Sequence, residues 1–96
     1  MEVKFSKSTR DGKKMMAVFF KDGKKIKTVH FGSVGYYDYT TLKEKDEERK
    51  RRYLERHKKE NWNDYMTAGS LSRYILWNKP TIEASIKDFK RKFGLK

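Results

Sequence analysis

The sequence predicts a single α+β domain over residues 1–96, in which helices cover one face of a three-stranded antiparallel β-meander. Two Asp-Gly dipeptides near the start indicate hairpin turns between strands over about residues 2–31. Acidic residues followed four positions later by basic residues indicate a first helix, and two threonines ahead of apolar stripes indicate two more. The helices are expected over about 42–59, 67–77 and 82–93.

The strand boundaries follow from Asp11-Gly12 and Asp22-Gly23, because Asp and Gly tolerate the positive φ of a two-residue hairpin loop. If both loops have two residues, Val3 lies opposite Phe20, and side chains alternate between the faces. The expected core face carries Val3, Phe5, Met16, Val18, Phe20, Val29 and Phe31. The opposite face is expected to carry Lys4, Ser6, Ser8, Met15, Ala17, Phe19, Ile26, Thr28 and His30. We interpret this mixed face either as half-covered surface or as a working face.

The first helix is predicted from three acid–base pairs at i,i+4 spacing, an arrangement that stabilises helices. The pairs are Asp46–Lys50, Glu47–Arg51 and Glu48–Arg52. Acidic residues at the start and basic residues at the end also suit the helix dipole. One stripe of this helix is expected to dock on the domain through Leu42, Tyr53, Leu54 and His57.

The two later helices are predicted from their ends. Thr67 is expected to cap a helix that runs to about Trp77, and Pro80 prevents its continuation. Thr81 is expected to cap the last helix, which Gly94 ends. Apolar residues recur at helical spacing in the last helix, at Ile82, Ile86, Phe89 and Phe93.

The composition indicates a basic protein with a core built from rings. The chain has 25 Lys and Arg against 13 Asp and Glu, a formal charge of +12 that is spread along the chain. Such a charge favours a polyanionic partner, most commonly nucleic acid. Because no apolar run reaches the length of a membrane span, no membrane partner is expected. The chain is expected inside a cell, in the cytoplasm or nucleus, or in a viral particle.

The sequence argues against an enzyme. It has no cysteine and therefore no Cys-ligated zinc, and it lacks both a nucleophile motif and a GxxxxGK loop. Several carboxylates could serve metal-dependent phosphoryl chemistry, but most of them sit at helix-stabilising spacing, which explains them better. We therefore expect no catalytic residue, no metal and no cofactor. A small metal-dependent nuclease is the least favoured alternative.

Five segments resemble a small basic domain found in large DNA viruses of algae and protists. They are KFSKSTRDGKK, KTVHFGSVGYYDYT, KDEERKRRYLERHKKENW, TAGSLSRYILWNKP and SIKDFKRKFG. The likeness runs nearly from end to end, although Phe89 stands where tyrosine is common. The resemblance implies a viral origin and one domain, and it carries over no functional residue.

The predicted function is non-enzymatic binding of nucleic acid, with duplex DNA favoured over RNA, in the packaging or regulation of a viral genome. The alternative is a virion interaction module that binds an acidic protein or RNA. The expected contacts surround the two turns and follow the first helix: Lys7, Arg10, Lys13, Lys14, Lys24, Lys25, Lys27, Arg49, Arg51, Arg52, Arg56, Lys58 and Lys59.

Aromatic residues interleave with these basic ones. Tyr36, Tyr37, Tyr39, Trp62 and Trp77 could stack on unpaired bases. A chain with few aliphatic residues also needs rings for its core, so Trp77 in particular is expected to be buried. At least one of Tyr36 and Tyr37 is expected to be exposed.

Overall fold

The structure is a computed structural model that describes residues 1–41 and 46–96. An antiparallel sheet is formed, in this order, by β1 (Glu2–Lys7), β2 (Lys13–Lys21) and β3 (Lys24–Ser33). The helical layer consists of α1 (Glu47–His57), α2 (Ala68–Leu71), a π-helical turn (Ser72–Leu76) and α3 (Ile82–Phe93). The predicted α+β class, the meander and the three helices are confirmed. The expected start of the first helix, including Leu42, lies outside the described residues.

The second Asp-Gly turn has the predicted form. Asp22 has a φ of 52° and Gly23 a φ of 78°, the two positive values that a type I′ loop requires. Lys21 therefore pairs with Lys24 at the base of a two-residue loop. This turn sets the register at only one end of the β2–β3 pair, because the register shifts further along.

The first turn is longer than predicted. Lys7 pairs with Met15, and the Ser8 N–H donates to the Lys14 carbonyl at 3.2 Å, so five residues bridge β1 and β2. Gly12 has a φ of 83°, whereas Asp11 does not have a positive φ, which excludes a type I′ turn here. Within the longer loop, Ser8 Oγ accepts from the N–H of Arg10 at 3.0 Å.

A bulge in β3 also changes the register. Phe20 pairs with Lys25, but its neighbour Phe19 pairs with Lys27, so Ile26 has no partner across the ladder. From that point to Ser33, every β3 residue pairs one position away from the predicted partner.

These shifts overturn the predicted assignment of β2 to the two faces. The core face carries Met15, Ala17 and Phe19 in place of Met16, Val18 and Phe20. Ala17 and Phe19 are fully buried, whereas Met16, Val18 and Phe20 are partly exposed on the outer face. The predictions for β1 and β3 were correct: Val3, Phe5, Val29 and Phe31 contribute to the core.

The helix ends match most of the predicted caps. The side chains of Thr67 and Thr81 accept from the N–H groups of Ser70 and Ala84, and Gly94 ends α3 with a φ of 65°. Asp46 lies at the N-cap of α1, where its side chain accepts from the Arg49 N–H. It was predicted instead as an interior residue paired with Lys50.

A π-helical turn replaces the second half of the predicted 67–77 helix. The Trp77 N–H donates to the Ser72 carbonyl at 3.1 Å, five residues back, and the Trp77 carbonyl accepts from Arg73 Nη1 at 3.0 Å. The wider turn places Ile75, Leu76 and Trp77 in the core.

The core lies between the sheet and the helices and is rich in rings, as predicted. Phe5 meets Phe31 and Phe89 edge to face, with centroid distances of 6.4 and 5.8 Å. Phe89 and Phe31 are fully buried. By contrast, α1 has no buried residue. It is attached to the rest of the helical layer through Tyr53, whose ring stacks on Trp77 with a distance of 4.3 Å between the ring centroids.

Candidate nucleic-acid interface

An open cleft of about 560 Å³ lies where the end of the sheet meets α1. One wall is formed by Lys13 and Lys14 at the start of β2 and by the loop that carries Tyr36 and Tyr37. A second wall is α1, and we call the lining residues from α2 onward, which include Gly69, Ser72, Leu76 and Trp77, the floor. We call this feature the basic cleft. It joins parts of the chain that lie more than thirty residues apart in the sequence.

The loop with the two tyrosines is held in place by Asp38. The Asp38 carboxylate accepts from Lys14 Nζ at 2.6 Å through Oδ2, and from the N–H groups of Thr40 and Thr41 at 2.9 and 3.2 Å through Oδ1. Lys14 Nζ also donates to the carbonyl of Tyr36. These bonds fix the backbone, while the rings of Tyr36 and Tyr37 remain 75% and 67% exposed.

The α1 wall presents guanidinium groups next to rings. Arg49 and Arg56 are exposed and line the basic cleft, seven residues apart and so on the same face of the helix. Tyr53 lies between them and stacks on Trp77 with an angle of 6° between the ring planes. Lys50 Nζ donates to the Asn78 carbonyl at 2.6 Å and thereby attaches α1 to the turn before α3.

One of the two acids of the basic cleft pairs with a cation, and the other contacts a histidine. Asp38 pairs with Lys14, and Glu60 Oε2 lies 2.8 Å from His57 Nδ1. Among residues 1–41 and 46–96, no carboxylate lies within ion-pair distance of Lys13, Arg49 or Arg56. The lining of the cleft, with four Lys and Arg side chains against two carboxylates, is therefore cationic.

Burial changes two pKa values at the attachment of α1. It raises the pKa of the Tyr53 phenol to about 12, because the apolar contact with Trp77 disfavours a phenolate. Burial also lowers the pKa of Lys50. Tyr53 thus stays neutral and serves as a packing ring at neutral pH.

The predicted contacts around the first turn reach the basic cleft only in part. Lys13 lines the cleft and is partly exposed. Lys14 also lines it, but its ammonium is engaged by Asp38 and the Tyr36 carbonyl, which makes it a positioning residue. Lys7 and Arg10 are exposed beside the turn and outside the cleft.

The predicted contacts around the second turn lie elsewhere. Lys24, Lys25 and Lys27 are exposed at the other end of the sheet. From Lys14 to Phe20, six residues along β2, the rise of an extended strand gives about 20 Å. The structure therefore does not bring this group together with the first turn.

The remaining predicted contacts on α1 are mostly paired with acids. Arg51 Nη2 lies 2.6 Å from Glu48 Oε1, and Arg52 Nε lies 3.6 Å from the same oxygen. Lys58 Nζ donates to Glu55 at 2.6 Å. Neither acid lines the basic cleft, although Glu55 shares a second hollow on α1 with Arg49 and Arg56. Lys59 is exposed just beyond the helix.

Sequence reasoning did not identify the floor of the cleft or the role of Asp38. Gly69 is part of the floor, and its lack of a side chain leaves room for Glu60. A Cβ at this position would lie 2.7 Å from Glu60 Oε1. A signal for Asp38 was present in the sequence, since Asp followed by Thr40 and Thr41 is typical of a side-chain-capped turn. Of the candidate stacking rings, Tyr39 and Trp77 are buried, at 3% and 9% exposure.

The profile of a family described as "Family of unknown function (DUF5754)" matches residues 3–57. The chain belongs to this family. The DUF5754 match contains nearly the whole sheet, the tyrosine loop and α1, and hence both walls of the basic cleft. The floor, from α2 onward, lies outside it. Comparison with curated proteins and with solved structures gave no match.

Two further properties concern the described part of the chain. Within residues 1–41 and 46–96, no three His, Asp or Glu side chains come together in a way that could hold a metal ion. In the same residues, no helix is long and apolar enough to cross a membrane.

Proposed function

We propose that this member of the DUF5754 family is a non-enzymatic nucleic-acid-binding protein whose phosphate contacts are centred on the basic cleft. One observation carries the proposal. Lys13 and the pair Arg49 and Arg56 come from distant parts of the sequence and line one cleft in which Lys and Arg outnumber carboxylates four to two. Several cations held in fixed positions meet neighbouring phosphates together and release their counterions.

The guanidinium groups suit this role chemically. A guanidinium binds a phosphate through two parallel hydrogen bonds and is weakly hydrated, so it loses little when it leaves water. Lys59, exposed just beyond α1, is a further cation outside the cleft. Duplex DNA as the target, and a role in packaging or regulating a viral genome, belong to the proposal through the composition and the sequence resemblance described above.

The test is a titration of fluorescently labelled random-sequence duplex DNA at a series of salt concentrations. We expect measurable binding at low salt that falls steeply as salt rises. Arg49→Gln combined with Arg56→Gln should weaken binding and reduce the log–log salt slope by about 2, because about 0.9 counterions are released for each duplex phosphate contact.

The matched control is Lys24→Gln combined with Lys27→Gln, which also removes two charges but at the remote end of the sheet. If the two double variants weakened binding equally, binding would depend on the overall charge of the protein, and a site at the cleft would be excluded. Absence of binding at low salt would defeat the proposal as a whole. Incubation of plasmid with the protein and Mg²⁺ or Mn²⁺ should leave the plasmid intact, since no described cluster of ligands could hold the metal.

A further inference from the structure

We infer that the basic cleft receives an unpaired base of a single-stranded nucleic acid, with the phosphates on either side of that base bound at the cleft rim. The inference rests on the proposed function and adds a single-strand site at the cleft to the duplex contacts proposed above. A duplex presents mainly its backbone to a protein, because its bases are stacked inside it. A protein surface that contacts only backbone therefore needs cations and no cleft.

The size of the basic cleft fits a ligand larger than a phosphate group. Its volume of about 560 Å³ lies within the range of about 300–1,000 Å³ that is typical of small-molecule sites. The cleft is open to solvent, so a strand can enter and leave without threading through the protein. Its floor is partly apolar, since it includes Leu76 and Trp77.

Two of the rings that line the cleft are unusually exposed. Tyr36 and Tyr37 leave 75% and 67% of their surface in water, although the core of this small domain is built largely from rings. Every nucleobase has a flat π face, and stacking on tyrosine is a recurrent way to bind an unpaired base without selecting its identity. Exposed neighbouring tyrosines beside unpaired cations therefore match a single strand better than a duplex.

The tyrosine loop is also held ready for binding. Asp38 is buried and bonded to Lys14, Thr40 and Thr41, and Lys14 additionally holds the Tyr36 carbonyl. A loop that is fixed before binding loses less conformational entropy when a ligand arrives. The two rings thus line the same cleft as the arginines of α1, and they do so from a fixed backbone.

The cations of the cleft also suit a single strand. Lys13 belongs to the wall that carries the tyrosine loop, and Arg49 and Arg56 belong to the α1 wall. A base that enters between the walls brings one phosphate on its 5′ side and one on its 3′ side toward these cations. The protonated Lys and Arg groups can neutralise both phosphates while the base is stacked.

The experiment compares the binding of labelled oligo(dT) of twelve nucleotides with that of a twelve-base-pair duplex at equal ionic strength. An oligo(U) of the same length separates RNA from DNA. We expect Tyr36→Ala combined with Tyr37→Ala to raise the Kd for the single strand by about fivefold or more, the low end of the effect of removing a stacked ring. The Kd for the duplex should change by less than about twofold.

Three control variants keep the result interpretable. Tyr36→Phe combined with Tyr37→Phe retains the rings and should bind single strands like the wild type. Val34→Ala removes a 59% exposed side chain from the same loop outside the cleft and should have no effect. Circular dichroism should show that all variants are folded, which is expected because both tyrosines are exposed.

Two results would overturn the inference. One is an unchanged Kd for single strands in the double alanine variant. The other is an equal loss of affinity for single strands and duplex. In both cases, wild-type binding that falls with salt would leave the proposed function standing. Failure of the wild type to bind either form at low salt would instead remove the proposed function, and the inference with it.

Discussion

The ammonium group of Lys14 lies 2.6 Å from Oδ2 of Asp38, and this ion pair connects strand β2 to the loop that borders the basic cleft. The side chain of Asp38 is only 4% exposed and that of Lys14 is 20% exposed. A lysine of the basic N-terminal segment is thereby used to hold structure, and the cleft depends on this pair for the position of its tyrosines.

Replacement of Asp38 by Asn should lower the free energy of unfolding by about 2 kcal/mol, because a mostly buried ammonium loses its charged partner. Urea denaturation measures this change. Lys14→Met and the double variant complete a thermodynamic cycle in which we expect the two substitutions to be non-additive. Additive effects would show that the pair contributes nothing to stability.

The observed register of β2 predicts opposite behaviour for two neighbouring phenylalanines. Phe19→Ala should cost about 3–5 kcal/mol, the usual loss for a buried phenylalanine, because Phe19 is fully buried. Phe20→Ala should cost about 1 kcal/mol, because Phe20 lies partly exposed on the outer face, beneath Lys4. Urea midpoints of the two variants test this order, and the reverse order would favour the register expected from two tight turns.

Gly32 should resist substitution for two separate reasons. Its φ is 79°, and a Cβ there would lie 2.7 Å from Leu76 Cδ1. Gly32→Ala should therefore destabilise the protein by about 2–3 kcal/mol, from backbone strain together with a steric overlap in the core. Gly12→Ala is the matched control, since Gly12 has a φ of 83° but nothing within 4 Å of a Cβ. If thermal melts gave equal losses, the contact with Leu76 would be irrelevant.

Stability should fall at alkaline pH through Tyr53. Its pKa is about 12 in the folded state and about 10 in an unfolded chain. The stabilisation is fully present below pH 10 and is lost as the pH rises toward 12, because the unfolded chain releases its phenolic proton first. Urea midpoints at pH 9, 10 and 11 should decline more steeply for the wild type than for Tyr53→Phe. Parallel declines, which lysine titration alone would give, would contradict this assignment.

The sequence predicts the number and order of the elements but not the register of β2. The segment MMAVFF offers two nearly equivalent apolar faces, one with Met15, Ala17 and Phe19, the other with Met16, Val18 and Phe20. Alternation alone cannot choose between them. The choice follows from the longer first loop and from the bulge at Ile26, neither of which the alternation of apolar residues predicts.

The helix caps could be read from single residues, because a cap acts over one turn. Thr67, Thr81 and Gly94 were predicted correctly for this reason. The π-helical turn at Ser72–Leu76 had no such local signal. The basic cleft could not be predicted from the sequence. Lys13, Arg49 and Arg56 were each predicted as nucleic-acid contacts, but they line one cleft only because α1 docks through Tyr53 and Lys50.

The first and last residues are hydrogen-bonded to each other, since the Lys96 N–H donates to the Met1 carbonyl at 3.1 Å. Both lie beside the Asp22-Gly23 turn, at the end of the sheet remote from the basic cleft. An affinity tag or surface tether attached at either terminus would therefore project from the far side of the molecule. Protein immobilised in this way would keep its arginines and exposed tyrosines accessible to strands in solution.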